Sequence, residues 1–305
     1  MQLDQNSDSR VAFTQFEPIG VVVAVSAFNH PFNLIVHQVA PAIAAGCPVI
    51  VKPAASTPLS CKTFIEILCE AGLPSGWAQI VLPDKIELAT ELVSDPRVSF
   101  FSFIGSSRVG WMLKSKLSPG TRCALEHGGV APVILTKDAD IEDAVVRIAK
   151  GGFYHAGQVC VSVQRVFCDE SILDVFADKL ADAAKHLKVG DPTDINTEVG
   201  PLINQHECQR VADWVAEASG GGAKILAGGN KISDTCYEPT VLVGASPDAK
   251  VSTSEVFGPV VSIYPYTNID DAIREANSLP VSFQAAVFTE NLETAMHCYR
   301  NLDAT

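Results

Sequence analysis

Residues 155–162 read HAGQVCVS and set one cysteine, Cys160, among valines just after a Gly-Gln pair. A thiol attacks only as its thiolate, and an unperturbed cysteine has a pKa of ~8.5, so a nucleophilic role needs a local positive field. Val159 and Val161 work the other way, and a cysteine in apolar surroundings is more often a small core residue. Glu126, in ALEHGG, follows apolar residues and precedes two glycines; this suits a general base in a tight loop or a surface turn residue. Asn29, in AFNHPFN, lies just past an apolar run, where its amide can brace a turn before Pro31 or donate to an oxyanion. Lys52 follows the run CPVIV. A charge at the carboxyl end of a parallel strand stands where ligands bind in such sheets, and an ordinary exposed lysine would look the same. In FIGSSRVG, residues 103–110, Gly105 and Ser106 turn from a strand into a helix that starts near Ser107. The free N–H groups at such a start favour a phosphate, and Gly110 permits a close approach to a strand or ligand. The spacing is not G-x-G-x-x-G, so a plain strand-to-helix turn fits equally well.

These residues hang on an alternation of strand-like and helix-like segments. GVVVAVSAF (20–28) reads as a strand buried on both faces, NLIVHQVAPAIAAG (33–46) as a helix with a proline inside it, and CPVIVKP (47–53) as a second buried strand. STPLSCKTFIEILCEAGLP reads as a helix, with Ser56 or Thr57 to cap it and Pro58 in its first turn. WAQIVL and VSFFSFIG are two more strands, separated by the helical KIELATELVS. This β-α-β-α order predicts a parallel sheet with helices on both faces. After LEHGG (125–129) a second α/β unit begins, with helices over DADIEDAVVRIAKGGF, Ser171 to Leu187, 204–219, DDAIREANS and 291–301. Its strands are RVFCDES, TVLVG, VVSIYPY and AAVFT. The fold class is α/β with two Rossmann-like parallel-sheet domains, residues 1–129 and 130–305, joined without a flexible linker.

Lys and Arg total 22 against 35 Asp and Glu, a net charge of −13, which argues against nucleic-acid binding and against anionic membranes. The nine cysteines include no Cys-x-x-Cys pair and have irregular spacing, so neither a disulfide framework nor a metal site is indicated, and a reducing cytoplasm fits. The polar start MQLDQNSDSR is not a signal peptide, and the apolar runs are too short or too interrupted to span a bilayer.

Taken in succession, Asn29, Lys52, IGSSRVG, LEHGG, GQVC and EVFGP resemble the aldehyde dehydrogenase superfamily, from about Pro18 to Thr289. The resemblance implies two Rossmann-like domains of that family's type: an NAD(P)-binding domain at 1–129 and a catalytic domain at 130–305. It implies that Cys160 is the nucleophile, Glu126 the general base, and Asn29 the amide that holds the oxyanion together with the Cys160 N–H. Lys52 would contact the adenosine ribose, Gly105 and Ser106 would form the pyrophosphate turn with Gly110 close by, and Glu255 and Phe257 would grip the nicotinamide ribose. The implied reaction is oxidation of an aldehyde to a carboxylate through a thiohemiacetal and a thioester on Cys160. The implied assembly is a homodimer or homotetramer of the full-length form.

Several positions depart from the family's pattern. Ala55 stands three residues after Lys52, where members that prefer NAD often have a glutamate; NAD is expected first, with NADP tolerated. His127 follows Glu126, where leucine is more usual. His30, Asn33, His37, Tyr154 and His155 make the expected substrate tunnel polar, which suggests a small polar or anionic aldehyde, although these side chains can also serve local hydrogen bonds. Val159 offers no arginine beside the nucleophile to clamp an anion. The chain also lacks segments that family members have at both ends, so the domains read as incomplete. Two other readings stand beside aldehyde oxidation: a CoA-acylating enzyme, which would not need Glu126, and a truncated, inactive nucleotide-binding fragment.

Overall fold

The computed structural model describes residues 12–280 and 282–304. The polar start read above, residues 1–10, lies outside them. The chain divides between Glu126 and His127 into two compact units.

The first unit runs β1 (Val21–Val25), α1 (Asn33–Ala44), β2 (Val49–Lys52), α2 (Leu59–Glu70), β3 (Ala78–Ile80), α3 (Ile86–Ser94), β4 (Val98–Gly105), α4 (Ser107–Lys114) and β5 (Arg122–His127). Its sheet has the order β3-β2-β1-β4-β5, and β1 pairs in parallel with both β2 and β4. Strand β1 shows why an unbroken apolar run was needed. Val22 and Ala24 pack on one face with Ile35 and Val39 of α1, while Val23 and Val25 pack on the other with Phe101 and Leu113. Pro41 is accommodated inside α1, as the sequence suggested.

The second unit runs β6 (Ala131–Leu135), α5 (Ile141–Phe153), β7 (Val163–Asp169), α6 (Leu173–His186), α7 (Gln205–Gly220), β8 (Lys224–Ala227) and β9 (Thr240–Val243). Then come α8 (Lys250–Thr253), β10 (Val260–Tyr266), α9 (Ile269–Ala276), β11 (Ala286–Phe288) and α10 (Leu292–Asn301). The sheet order is β11-β6-β7-β10-β9-β8, parallel except for the antiparallel β8 at one edge. Alternate residues of β6 again enter different cores: Val133 and Leu135 join Ile148 and Leu180, and Ile134 joins Phe167 and Ile273. Side-chain oxygens of Asp140, Asn204 and Asn291 accept from backbone N–H groups in the first turns of α5, α7 and α10, caps worth about 1 kcal/mol each.

Three strands went unread in the sequence: β5, β6 and the edge strand β8. β6 contains Pro132, which ordinarily argues against a central strand; here it sits at a register shift in the pairing of β6 with β7. β5 alternates exposed and half-buried residues and lies at the edge of its sheet. Glu126 therefore lies within a strand rather than in a tight loop. Among the described residues no helix is long and apolar enough to cross a membrane, and no cluster of three His, Cys, Asp or Glu side chains could hold a metal.

Candidate active site

In the first unit the candidate residues gather at the carboxyl ends of adjacent parallel strands. The chain winds from β1 through β2 to β3 on one side and then crosses to β4 on the other, so β1 and β4 flank a topological switch point, where open α/β sheets bind ligands. Lys52 is the last residue of β2; its Nζ donates to Pro53 O at 3.2 Å, and burial lowers its pKa. Asn29 follows β1 and is buried, with its Nδ2 3.2 Å from His30 Nδ1. Gly105 ends β4 against the Phe103 ring, and a Cβ there would meet Phe103 Cζ at 2.9 Å. Ser106 occupies the N-cap position of α4 without spending its side chain on a capping bond, and Gly110 is buried within that helix. The first N–H groups of a helix have no intrahelical acceptor, so this turn presents donors. Gln38, which the sequence reading passed over, braces the end of the switch point from α1. Its Nε2 donates to Val25 O at 3.2 Å and to Ser102 O at 3.1 Å, tying β1 to β4. Glu126 is exposed on β5.

In the second unit the candidates lie at the amino ends of parallel strands. Cys160 stands just before β7, Glu255 and Phe257 just before β10, and Gly128 and Gly129 just before β6. Cys160 is half-buried on a turn, whereas Cys47, Cys61, Cys168, Cys208 and Cys298 are core residues. Burial pushes the Cys61 thiol up to about 11 and that of Cys168 up to about 12, so those two are inert at neutral pH.

The Cys160 turn is held from several sides. His155, Ala156 and Gly157 take left-handed backbone angles, with φ of 56°, 54° and 69°. A Cβ at residue 157 would stand 2.0 Å from Gly258 O, so only glycine admits the approach of the 258–259 backbone. The Gln158 amide donates to Pro201 O at 3.2 Å and accepts from Ile203 N at 2.9 Å. Gln284 Nε2 donates to Val161 O at 3.1 Å. The glycine and glutamine before Cys160 thus have separate mechanical duties. Tyr154 and His155 are exposed beside the turn with ring centroids 5.6 Å apart, and Val159 is buried. Of the other polar positions, Asn33 and His37 are exposed on α1 and His30 is half-buried.

Glu255 Oε1 is out of contact with solvent and has no hydrogen-bond partner among the described residues. Burial raises the carboxyl to about 7, against the opposing influence of the Gly129 N–H and the Arg210 charge. Arg210 holds the same segment from α7: Nη2 donates to Val256 O at 2.7 Å, Nε donates to Glu207 at 2.7 Å, and the guanidinium stacks 4.6 Å over Trp214. Phe257 has a left-handed φ of 47°. A carboxylate with an unused, buried oxygen suits a ligand that brings hydroxyl donors, as a ribose does.

The sequence profile of the aldehyde dehydrogenase family matches residues 2–305. The chain is 41% identical over 297 residues to a 3-sulfolactaldehyde dehydrogenase from Priestia aryabhattai, covering 97% of this chain and 62% of that protein. Among solved structures it superimposes on a glyceraldehyde-3-phosphate dehydrogenase from Methanocaldococcus jannaschii complexed with NADP. The TM-score is 0.90 at 36% identity, over 94% of this chain and 63% of that one. It also superimposes on a Mycobacterium tuberculosis aldehyde dehydrogenase complexed with NAD+, with a TM-score of 0.89 at 32% identity, over 95% of this chain and 61% of that one. The chain thus spans somewhat under two thirds of the length of each.

Proposed function

Because the chain belongs to the aldehyde dehydrogenase family, we propose that it serves the NAD(P)-dependent oxidation of a small polar or anionic aldehyde to its carboxylate, with Cys160 as nucleophile. The observation that carries this reading is that the Cys160 turn and the Glu255 segment are packed on each other through Gly157 and Gly258, at the amino ends of neighbouring strands. Residues 1–129 serve as the dinucleotide-binding domain and 130–305 as the catalytic domain. Named relatives that act on 3-sulfolactaldehyde and glyceraldehyde 3-phosphate favour an anionic substrate, in keeping with the polar side chains near Asn29 and Cys160.

The residues present suit a dinucleotide. The β1–β4 switch point with the Ser106 turn fits a pyrophosphate, Lys52 fits the adenosine ribose, and the orphaned Glu255 oxygen with Phe257 fits the nicotinamide ribose. When bound, the cofactor accepts the hydride released from the substrate carbon. NAD comes first and NADP is tolerated, since Ala55 is exposed and neither attracts a 2′-hydroxyl nor repels a 2′-phosphate.

The remaining steps belong to the chain. Cys160 Sγ attacks the aldehyde carbon, and the oxyanion accepts hydrogen bonds from the Asn29 amide and the Cys160 N–H, each worth about 10²–10³ in rate. Loss of hydride leaves a thioester on Sγ. Glu126 takes a proton from water, the hydroxide oxygen bonds to the acyl carbon, and the C–S bond breaks to release thiolate and the carboxylic acid, which loses its remaining proton to solvent as the carboxylate. Glu126 also favours hydrolysis over transfer to CoA, which needs no water-activating base. Nine cysteines as thiols fit a reducing cytoplasm, and the reading includes a homodimer or homotetramer of the longer form.

The test is NAD(P)H formation from 3-sulfolactaldehyde, glyceraldehyde 3-phosphate and a neutral aliphatic aldehyde, with and without CoA. The expected result is carboxylate without any CoA requirement, preference for the anionic aldehydes, and no turnover in Cys160→Ala. Full turnover in that variant, or acyl-CoA as the only product, overturns the proposal.

A further inference from the structure

We propose that Gln164 is a positioning residue that fixes the aim of Glu255, so that the strand leading away from the nucleophile also sets the carboxylate that meets the cofactor. This rests on the reading of Glu255 given above. Gln164 lies on β7, and only 4% of its surface is exposed. Its Nε2 donates to Val251 O at 2.9 Å and to Ser254 O at 2.8 Å, and its Oε1 accepts from Val256 N at 2.8 Å. Both amide hydrogens and the carbonyl oxygen are thereby used.

The last two of these bonds bracket Glu255, one on the peptide group before it and one on the peptide group after it. Arg210 holds the other side of residue 256 through its carbonyl, so both polar backbone groups of Val256 are fixed by side chains from separate elements. With the backbone pinned on both sides, the Glu255 side chain is directed at Gly128, where the missing Cβ leaves room for its carboxylate. No other side chain of similar length offers two donors and an acceptor in this geometry. Glutamate loses the donors, and methionine loses all three groups. The intervening residues Val161 and Ser162 are themselves bonded, Val161 O to Gln284 and Ser162 Oγ to Gly151 O at 3.3 Å, so little slack separates the nucleophile from this anchor.

The test compares the unaltered chain with Gln164→Met, Glu255→Ala and the double variant. Without any cofactor, amide hydrogen exchange over residues 254–257 is expected to quicken at least about tenfold in Gln164→Met, and the Glu255 carboxyl, followed by NMR, is expected to move toward the ordinary carboxylate range. Binding of 5′-AMP, which probes the adenosine half alone, is expected to stay unchanged. NAD+-dependent turnover is expected to fall about 10- to 100-fold in Gln164→Met, and no further when that change is added to Glu255→Ala. Should Gln164→Met fold poorly, Gln164→Leu, which likewise lacks all three groups, is expected to give the same pattern. Unchanged exchange and unchanged carboxyl titration, or losses that multiply in the double variant, overturn the proposal. If Glu255→Ala itself leaves NAD+ binding and turnover intact, the reading of Glu255 fails, and that outcome is separately visible.

Discussion

The carboxylate of Glu255 fills the space that a side chain at Gly128 would need: an ideal Cβ on residue 128 stands 2.0 Å from Glu255 Oε1 and 2.6 Å from its Cδ. The glycine before β6 and the carboxylate before β10 are therefore one structural unit, although much of the second domain lies between them in sequence.

Gly128→Ala is expected to leave the fold nearly intact, because the atoms it meets are the far end of a flexible side chain. It displaces the Glu255 carboxylate by an ångström or more, and misplacement on that scale can cost about 10²-fold in rate. Paired measurements of Tm and kcat check this: a large loss of kcat with little change in Tm is the expected outcome.

Gly157→Ala should behave in the opposite way. The new Cβ meets backbone, Gly258 O at 2.0 Å and Gly258 C at 2.4 Å, and residue 157 must keep a φ of +69°. A positive φ alone costs a non-glycine residue roughly 1–3 kcal/mol. Urea unfolding should show at least that loss, and alkylation of Cys160 should change in rate as its turn shifts.

The sequence made the two motifs around these glycines conspicuous without saying what the glycines touch. It also made the first sheet legible, because a run such as VVVAV (21–25) that feeds two cores is hard to read as anything but a central strand. The second unit was less legible. Pro132 disguised β6; in the first unit only β5 was missed, its alternation being that of an edge strand with no deep face. Strand-end rules for open α/β sheets point to carboxyl ends, whereas Cys160, Glu255 and Gly128 all precede their strands. The glutamines at 38, 164 and 284 gave no signal, and the one at 158 entered only as part of the GQVC motif, without its partners. A buried amide is recognised by its partners, and those partners are backbone groups distant in sequence.

Acidity provides a further check. The Glu255 carboxyl sits at about 7 in the folded chain, against 4.5 as its ordinary value. The folded state then binds more protons than the unfolded state between those limits, so stability falls as pH rises from 4.5 to 7 and levels off above. The loss from this group is bounded at roughly 3 kcal/mol. Thermal unfolding of Glu255→Gln over the same range should show a shallower decline than the unaltered chain.

Glu126→Gln is expected to separate acylation from release of product. Without a base for water, the first equivalent of NAD(P)H should appear as a burst while steady turnover drops by about 10²–10⁴. Rapid mixing, with mass spectrometry of the trapped acyl group on Cys160, follows both phases.

Ala55→Glu should sharpen the choice of cofactor. A carboxylate there accepts from a ribose 2′-hydroxyl and repels a 2′-phosphate, so kcat/KM for NADP should fall at least about tenfold while that for NAD holds or rises. Initial rates with the two dinucleotides decide it.

The Cys160 turn and the Glu255 segment introduce adjacent strands, β7 and β10, and they meet directly at two glycines. Between them in the chain, α7 braces that junction through Val211 and Arg210, while the stretch 190–197 is largely exposed. Surface insertions in the polar stretch 190–197 are therefore predicted to spare the chemistry, since lengthening an exposed connection adds little entropy cost. In contrast, a single added methyl group at the junction reaches both segments at once. Tolerance to change in this domain should follow distance from the Gly157–Gly258 contact rather than distance along the chain.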